Sequence, residues 1–243
     1  AHLVLIGRRG PAAPGAAALR DELTSTGVRV TVAACNAADR AALAALLDGL
    51  DTDGVRVDAV VHAAGVLHDG LLHTMDPTQL ADVWAAKVTA AVNLHDLLAD
   101  RDLTAFVLFS SLAGTLGSVG QAGYAAANAA LDALAEARHA VGRPALSVAW
   151  GPWAGTGMAA TGHLTDQLRR SGLAPMDAAP ALAALQRHLA GDTPCVVVSD
   201  VDWTRLTAAG ARPLLAELTD RADHTAPADD APALRREVLA LHP

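Results

Sequence analysis

The sequence predicts an α/β protein built on a doubly wound, mostly parallel, Rossmann-like sheet. Short apolar runs alternate with longer Ala- and Leu-rich stretches, and the runs are apolar throughout instead of alternating with polar residues. Strands covered by helices on both faces need apolar side chains on both sides. Strands that alternate with helices are joined by crossovers into a parallel sheet. In order, the strand HLVLIG (2–7) is followed by a helix near 14–26, and VRVTVAA (28–34) by a helix near 38–50. DAVVHAAG (58–65) leads to a long helix near 76–100, and TAFVLFSS (104–111) to a helix near 121–141. ALSVAWG (145–151), a helix near 177–190 and CVVVSD (195–200) complete the pattern. Residues 1–218 are expected to form this domain; TDRADHTAPADDAPA beyond it is polar and rich in Ala, Asp and Pro, as linkers are. Residues 219–243 are therefore expected to lead toward a following domain, with LRREVLALHP opening a helix.

Composition narrows the function. The 243 residues are 52% hydrophobic and 3% aromatic, with a formal net charge of −8, which argues against an electrostatic grip on nucleic acid. Cys35 and Cys195 are far apart, each beside an apolar run, and read as buried free thiols of a reducing compartment. The ten His residues show no metal-ligand spacing, so no metal site is expected. No apolar run approaches the ~20 residues of a membrane span, and no signal peptide opens the chain, so a cytoplasmic protein is expected.

FSSLAGTLGSVGQAGYAAAN carries the chemistry. Ser111 ends an apolar run, Tyr124 follows thirteen residues later, and Asn128 lies one helical turn beyond the Tyr. A Ser and a Tyr at the mouth of a parallel sheet suit reduction of a carbonyl: the hydroxyl holds the oxygen and the phenol protonates it as hydride arrives at carbon. One absence stands beside this. A dinucleotide-binding sheet normally begins with a strand and a Gly-rich turn. No G-x-G-x-x-G follows a strand here, and HLVLIGRRG has the character of a second strand. The first strand, Gly-rich loop and first helix are expected to lie upstream or to be missing from this chain.

The motifs LVLIGRRGP, VAACNAADR, VVHAAGVLHDG, WAAKVTAAVNLH, FVLFSSLAG, QAGYAAANAALDALA and WGPWAGTGM occur in order. With them the chain resembles the catalytic half of a ketoreductase domain of a modular type I polyketide synthase, within the short-chain dehydrogenase/reductase superfamily. The resemblance implies NADPH-dependent reduction of a β-ketoacyl thioester. It also implies an acyl carrier protein partner that presents the substrate on phosphopantetheine, and an upstream structural half. By the same resemblance Tyr124 is the proton donor, Ser111 the second hydrogen bond to the carbonyl, and Ser110 a structural hydroxyl. Asn128 stands where most of the superfamily carries Lys, with Lys87 supplying the cation from the preceding helix. A nearby ammonium is expected to lower the Tyr pKa and to help relay the proton.

The resemblance also assigns the cofactor contacts. Arg8 and Arg9 follow the strand at which the adenosine ribose is read, and two Arg without an acidic residue favour the 2′-phosphate of NADPH. Asn36 stands where the family usually has Asp and, with Ala37, is expected to touch the adenine. Ala63, Ala64 and Gly65 match the turn that passes the cofactor ribose. Pro152 and Trp153 match a contact near the nicotinamide, and the segment after them, with Met158, looks like a lid over the substrate.

Stereochemistry is read from the same comparison. One family type carries Leu-Asp-Asp after the third strand run; the other has a Trp before the catalytic Tyr. Here the triplet is Leu67-His68-Asp69 and the Trp position is Leu116, with Gln121 nearby. Asp69 and the missing Trp favour the B-type, which gives a 3R hydroxyl, although His68 departs from the pattern. Two other readings stay open: a redox-inactive structural domain, and a free-standing short-chain alcohol dehydrogenase.

Overall fold

The structure is a computed structural model that describes residues 1–155, 166, 168–208 and 213–215. Among the described residues, eight strands are interleaved with helices: β1 (His2–Gly7), β2 (Arg29–Ala34), β3 (Ala59–His62), β4 (Ala105–Ser111), β5 (Leu146–Trp150), β6 (Leu173–Ala174), β7 (Cys195–Val198) and β8 (Asp200–Val201). The helices are α1 (Ala16–Ser25), α2 (Arg40–Thr52), α3 (Pro77–Trp84), α4 (Ala90–Leu97), α5 (Leu112–Leu116), α6 (Ala122–Ala140), α7 (Ala178–Leu189) and α8 (Trp203–Ala208). The α/β fold matches the expectation. Strands β3, β4, β5 and β7 form one parallel sheet in that order, with Val60 opposite Phe106 and Phe109 opposite Val148. β1 and β2 pair in parallel as a separate ribbon. Among the described residues β1 pairs only with β2 and β3 only with β4, so each keeps an unpaired edge. The departure from all-parallel pairing is the short antiparallel pair of β6 and β8.

The core explains the apolar runs. All five residues of β5 are buried, and Phe106 and Leu108 of β4 are completely enclosed. On one side, Leu43 and Leu47 of α2, Leu94 of α4, and Leu131 and Ala135 of α6 pack with Val60 and Phe106. On the other, Ala181 and Leu185 of α7 pack with Val148 and Trp150. Burying a large aliphatic or aromatic side chain is worth about 1.5–3 kcal/mol, so these two layers hold the sheet. Helix starts are marked locally. The Asp39 side chain accepts from the N–H groups of Ala41 and Ala42 and opens α2. Asp76 caps α3 in the same way, with Pro77 at its first turn.

Three elements differ from the sequence expectation. The run 58–65 is a strand only to His62; Ala63, Ala64 and Gly65 leave the sheet as a loop. The expected single helix near 76–100 is interrupted by a π-helical stretch, Ala85–Thr89. The short helix α5 follows β4 directly, where no helix was expected. Met158, most of the lid segment and residues 219–243 lie outside the described residues.

Candidate active site

The candidate site forms beyond the carboxyl ends of β3, β4 and β5, where ligands of open α/β sheets bind. β4 ends in two serines that face opposite ways. Ser110 is buried and its hydroxyl donates to the Asn128 carbonyl at 3.2 Å. Ser111 caps α5: its Oγ accepts from the Ala113 N–H at 3.2 Å, which leaves its own proton for another acceptor. Tyr124 and Asn128 lie one turn apart on α6, both buried. The Asn128 Nδ2 donates to the Tyr124 carbonyl at 2.8 Å, while its Oδ1 is enclosed without a partner among the described residues.

Lys87 reaches this pair from the π-helical stretch. Lys87 and Tyr124 are the only lysine and the only tyrosine of the chain. Lys87 is 3% exposed; its ammonium donates to the Phe109 carbonyl at 2.9 Å and sits 5.3 Å from the centre of the Tyr124 ring. Two neighbours fix it. Buried His62 bonds through Nε2 to the Lys87 carbonyl at 2.8 Å, so that nitrogen carries the proton. Gly65 leaves room for the side chain, since a Cβ there would stand 3.1 Å from Lys87 Cε. A π-turn of this kind re-aims one side chain at the cost of one regular bond and is common at functional sites.

Burial sets the proton affinities. It pushes the Lys87 ammonium down from 10.5 to about 8, with the Asp132 carboxylate pulling the other way. Burial also pushes the Tyr124 phenol above its ordinary value; the Ser111 hydroxyl and Asn128 lower it, and Asp69 raises it. The expected lowering of the Tyr pKa is therefore not what the chain by itself produces, because desolvation of the phenolate outweighs the helpful neighbours.

The expected cofactor-contact positions each follow the carboxyl end of a strand: β1, β2, β3 or β5. Arg8 and Arg9 are exposed just beyond β1, and neither enters an ion pair among the described residues. The turn after them is tight: a Cβ on Gly10, whose φ is +48°, would clash with the Ala34 backbone. Asn36 turns back on its own loop, its Oδ1 accepting from the Ala38 N–H at 3.2 Å. Ala37 is held from below, because the Asn93 Nδ2 donates to the carbonyls of Ala37 and Ala38 at 2.9 and 3.1 Å. Ala63, Ala64 and Gly65 are exposed. Pro152 and Trp153 are pinned to the start of α7. The Met176 N–H donates to the Pro152 carbonyl at 2.8 Å, and the Trp153 ring lies against that of Trp150, centres 4.8 Å apart and tilted by 55°.

The stereocontrol positions form a stitched loop. Gln121 Nε2 donates to Asp69 Oδ1 at 3.0 Å, and the Gly70 N–H donates to the Gly120 carbonyl at 2.8 Å. His68 lies 3.5 Å from Asp82 of α3, so this departure from the triplet has a partner. Leu67 packs against the cluster of Tyr124 and Val83, and Leu116 ends α5 half-buried. His62, Asn93 and Asp132 were not singled out in the sequence. A lone polar residue in an apolar stretch is the signal each offers.

A family profile described as KR domain matches residues 1–155. The chain belongs to the KR domain family, the ketoreductases of modular polyketide synthases. It is 52% identical over 221 residues to polyketide synthase GfsA of Streptomyces halstedii, across 89% of this chain and 3% of that protein. Among solved structures, one described as an A1-type ketoreductase superposes with a TM-score of 0.84 at 51% identity, covering 89% of this chain and 46% of that one. The ketoreductase from the first module of phoslactomycin biosynthesis in Streptomyces sp. HK803 superposes with a TM-score of 0.86 at 43% identity, covering 91% of this chain and 52% of that one. This ketoreductase domain thus spans about half of those solved chains and a small fraction of the synthase. None of its described helices is long and apolar enough to cross a membrane.

Proposed function

We propose that this domain reduces a β-ketoacyl thioester, carried on an acyl carrier protein, to a β-hydroxyacyl thioester during polyketide extension, with NADPH as reductant in the cytoplasm. The observation that carries the reading is the convergence of Tyr124, Ser111, Asn128 and the chain's only lysine beyond the end of β4. Tyr124 gives its proton to the carbonyl oxygen, and the Ser111 hydroxyl, already oriented by the Ala113 N–H, donates to the same oxygen. Lys87, charged below about pH 8, supports charge on the phenolate and restores its proton, with Asn128 beside it.

The residues fit the cofactor. Arg8 and Arg9 offer unpaired positive charge for a 2′-phosphate, Ala63, Ala64 and Gly65 keep large side chains away, and Asn128 Oδ1 is an enclosed acceptor awaiting a donor. When bound, the reduced nicotinamide supplies hydride to the β-carbon. Asn36, Ala37, Pro152 and Trp153 are the further contacts we assign. Residues 1–218 form this reductase and 219–243 lead to the carrier. The unpaired edges of β1 and β3 support an additional strand with the Gly-rich loop, contributed together with the structural half.

We assign the B-type, 3R outcome. Asp69, held by Gln121 beside the mouth, and Leu116 in the Trp position support it, while A-type relatives at 51% identity weigh on the other side. Selectivity of tenfold needs only about 1.4 kcal/mol. The test is NADPH oxidation by the complete domain with a β-ketoacyl thioester, followed by chiral separation. Turnover to the 3R alcohol, reduced at least about 100-fold in Tyr124→Phe, is expected. The 3S product overturns the stereochemical assignment. Absence of turnover by folded protein overturns the reductase and favours a redox-inactive domain.

A further inference from the structure

We propose that Asp132 is a positioning residue for the proton relay: a half-buried carboxylate on α6, two turns beyond Tyr124, that holds Lys87 in its charged form. Residues 124, 128 and 132 are spaced by four, so they share one face of α6. That face lies against β4 and the π-helical stretch, where Ser110 bonds the Asn128 carbonyl and Lys87 the Phe109 carbonyl. Asp132 is not a solvated surface acid. The hydroxyl of fully enclosed Ser147 donates to its Oδ1 at 2.6 Å, and the Cys195 thiol donates to its backbone carbonyl at 3.4 Å.

A half-buried carboxylate and a buried ammonium each cost desolvation energy, and each is retained where it is compensated. Neither Asp132 nor Lys87 enters an ion pair among the described residues. The sheet register sets them close together: Ser147, which holds Asp132, pairs with Leu108 of β4, and the next residue, Phe109, accepts from Lys87. Burial raises the Asp132 carboxyl and lowers the Lys87 ammonium, and the field of each works against that loss of charge in the other. The other titratable groups facing the pair work differently. Glu136 opposes the Asp132 charge, and Cys195 is neutral, its thiol pushed up to about 12 chiefly by burial. His62 is kept neutral chiefly by burial, and Tyr124 is protonated at rest. Asp132 is therefore the negative charge that sustains the chain's only lysine.

This inference rests on the relay role of Lys87 proposed above, and its test reads Lys87 directly. The side-chain 13Cε resonance of Lys87 is titrated in the wild type, in Asp132→Asn and in Ser147→Ala. Asp132→Asn keeps an acceptor for Ser147 but removes the charge; Ser147→Ala keeps the charge but removes the bond. The expected result is a Lys87 midpoint about half to one pH unit lower in Asp132→Asn, and unchanged in Ser147→Ala. The alkaline limb of the rate profile should move down by the same amount. An unshifted midpoint in folded Asp132→Asn overturns the proposal. Should that variant not fold, the wild type decides, because coupling is mutual: the Asp132 carboxyl resonance must show an inflection where Lys87 loses its proton. Absence of that inflection overturns it equally. Failure of the reductase reading would appear elsewhere, as turnover retained in Tyr124→Phe.

Discussion

Lys87 illustrates what one residue contributes at the smallest scale. Its ammonium is moved from 10.5 to about 8 by burial, so the folded chain releases the proton at a pH where the unfolded chain still holds it. Between those values the unfolded state binds more protons, and stability from this group rises with pH. At neutral pH the buried charge costs roughly 3 kcal/mol. Lys87→Met is therefore expected to be more stable than wild type at pH 7 by roughly 2–3 kcal/mol, with the advantage shrinking from pH 8 to 10.5, measured by denaturant unfolding. The difference between the two proteins isolates the lysine. Cys195, pushed up to about 12, acts in the opposite sense above its ordinary 9.0 in both. Activity should show the other side of this balance: wild-type turnover falls as pH rises through about 8, and Lys87→Met is slow throughout.

The interrupted helix is the decisive element. α3 and α4 would form one continuous helix without the π-helical turn at Ala85–Thr89, and Lys87 would then be aimed differently. The His62 ring holds the turn by its bond to the Lys87 carbonyl, across from β3. His62→Leu removes one of the donors to that carbonyl, which keeps the Ala90 N–H, so the loss is that of a single net hydrogen bond, about 0.5–1.5 kcal/mol. We expect a matching loss of stability and a fall in kcat larger than any change in KM, with partial recovery in His62→Gln, which keeps a donor. His62 is held neutral chiefly by burial, so its folded pKa lies below 6.5. The unfolded chain binds its proton first as pH falls, so wild-type stability drops below pH 6.5 and this part of the drop is absent in His62→Leu. Urea midpoints across pH 5–7 check the sign.

At the scale of the whole molecule, the β1–β2 ribbon and the four-stranded sheet share no strand pairing among the described residues. They are joined by packing, with Cys35 and Val4 in the same cluster as Val60 and Phe106, and by a polar tie at the loop after β2. That tie is Asn93 of α4, which donates to both Ala37 and Ala38. Asn93→Leu keeps the volume but releases two carbonyls and frees the loop that carries Asn36. The expected outcome is a KM for NADPH raised by about tenfold with kcat nearly unchanged, read from steady-state kinetics at saturating thioester. A fall in kcat alone would show that the tie serves the proton relay and not the cofactor loop.

The sequence by itself determined the class and order of elements, because fully apolar runs and helical stretches are local patterns that burial on both faces requires. It also determined that Tyr124 and Asn128 are neighbours, since spacing by four is a property of any helix. It could not show the π-turn, which depends on His62 lying 25 residues away in the chain. It could separate Ser110 from Ser111 only by family register; in the structure their contacts differ, one hydroxyl buried against the Asn128 carbonyl and the other capping α5. The rise in the Tyr124 pKa, the clasp of Gln121 on Asp69 and the Ser147 bond to Asp132 belong to the tertiary structure as well. Desolvation and long-range contact exist only once the chain has closed over itself, and these two terms decide which charges the site keeps.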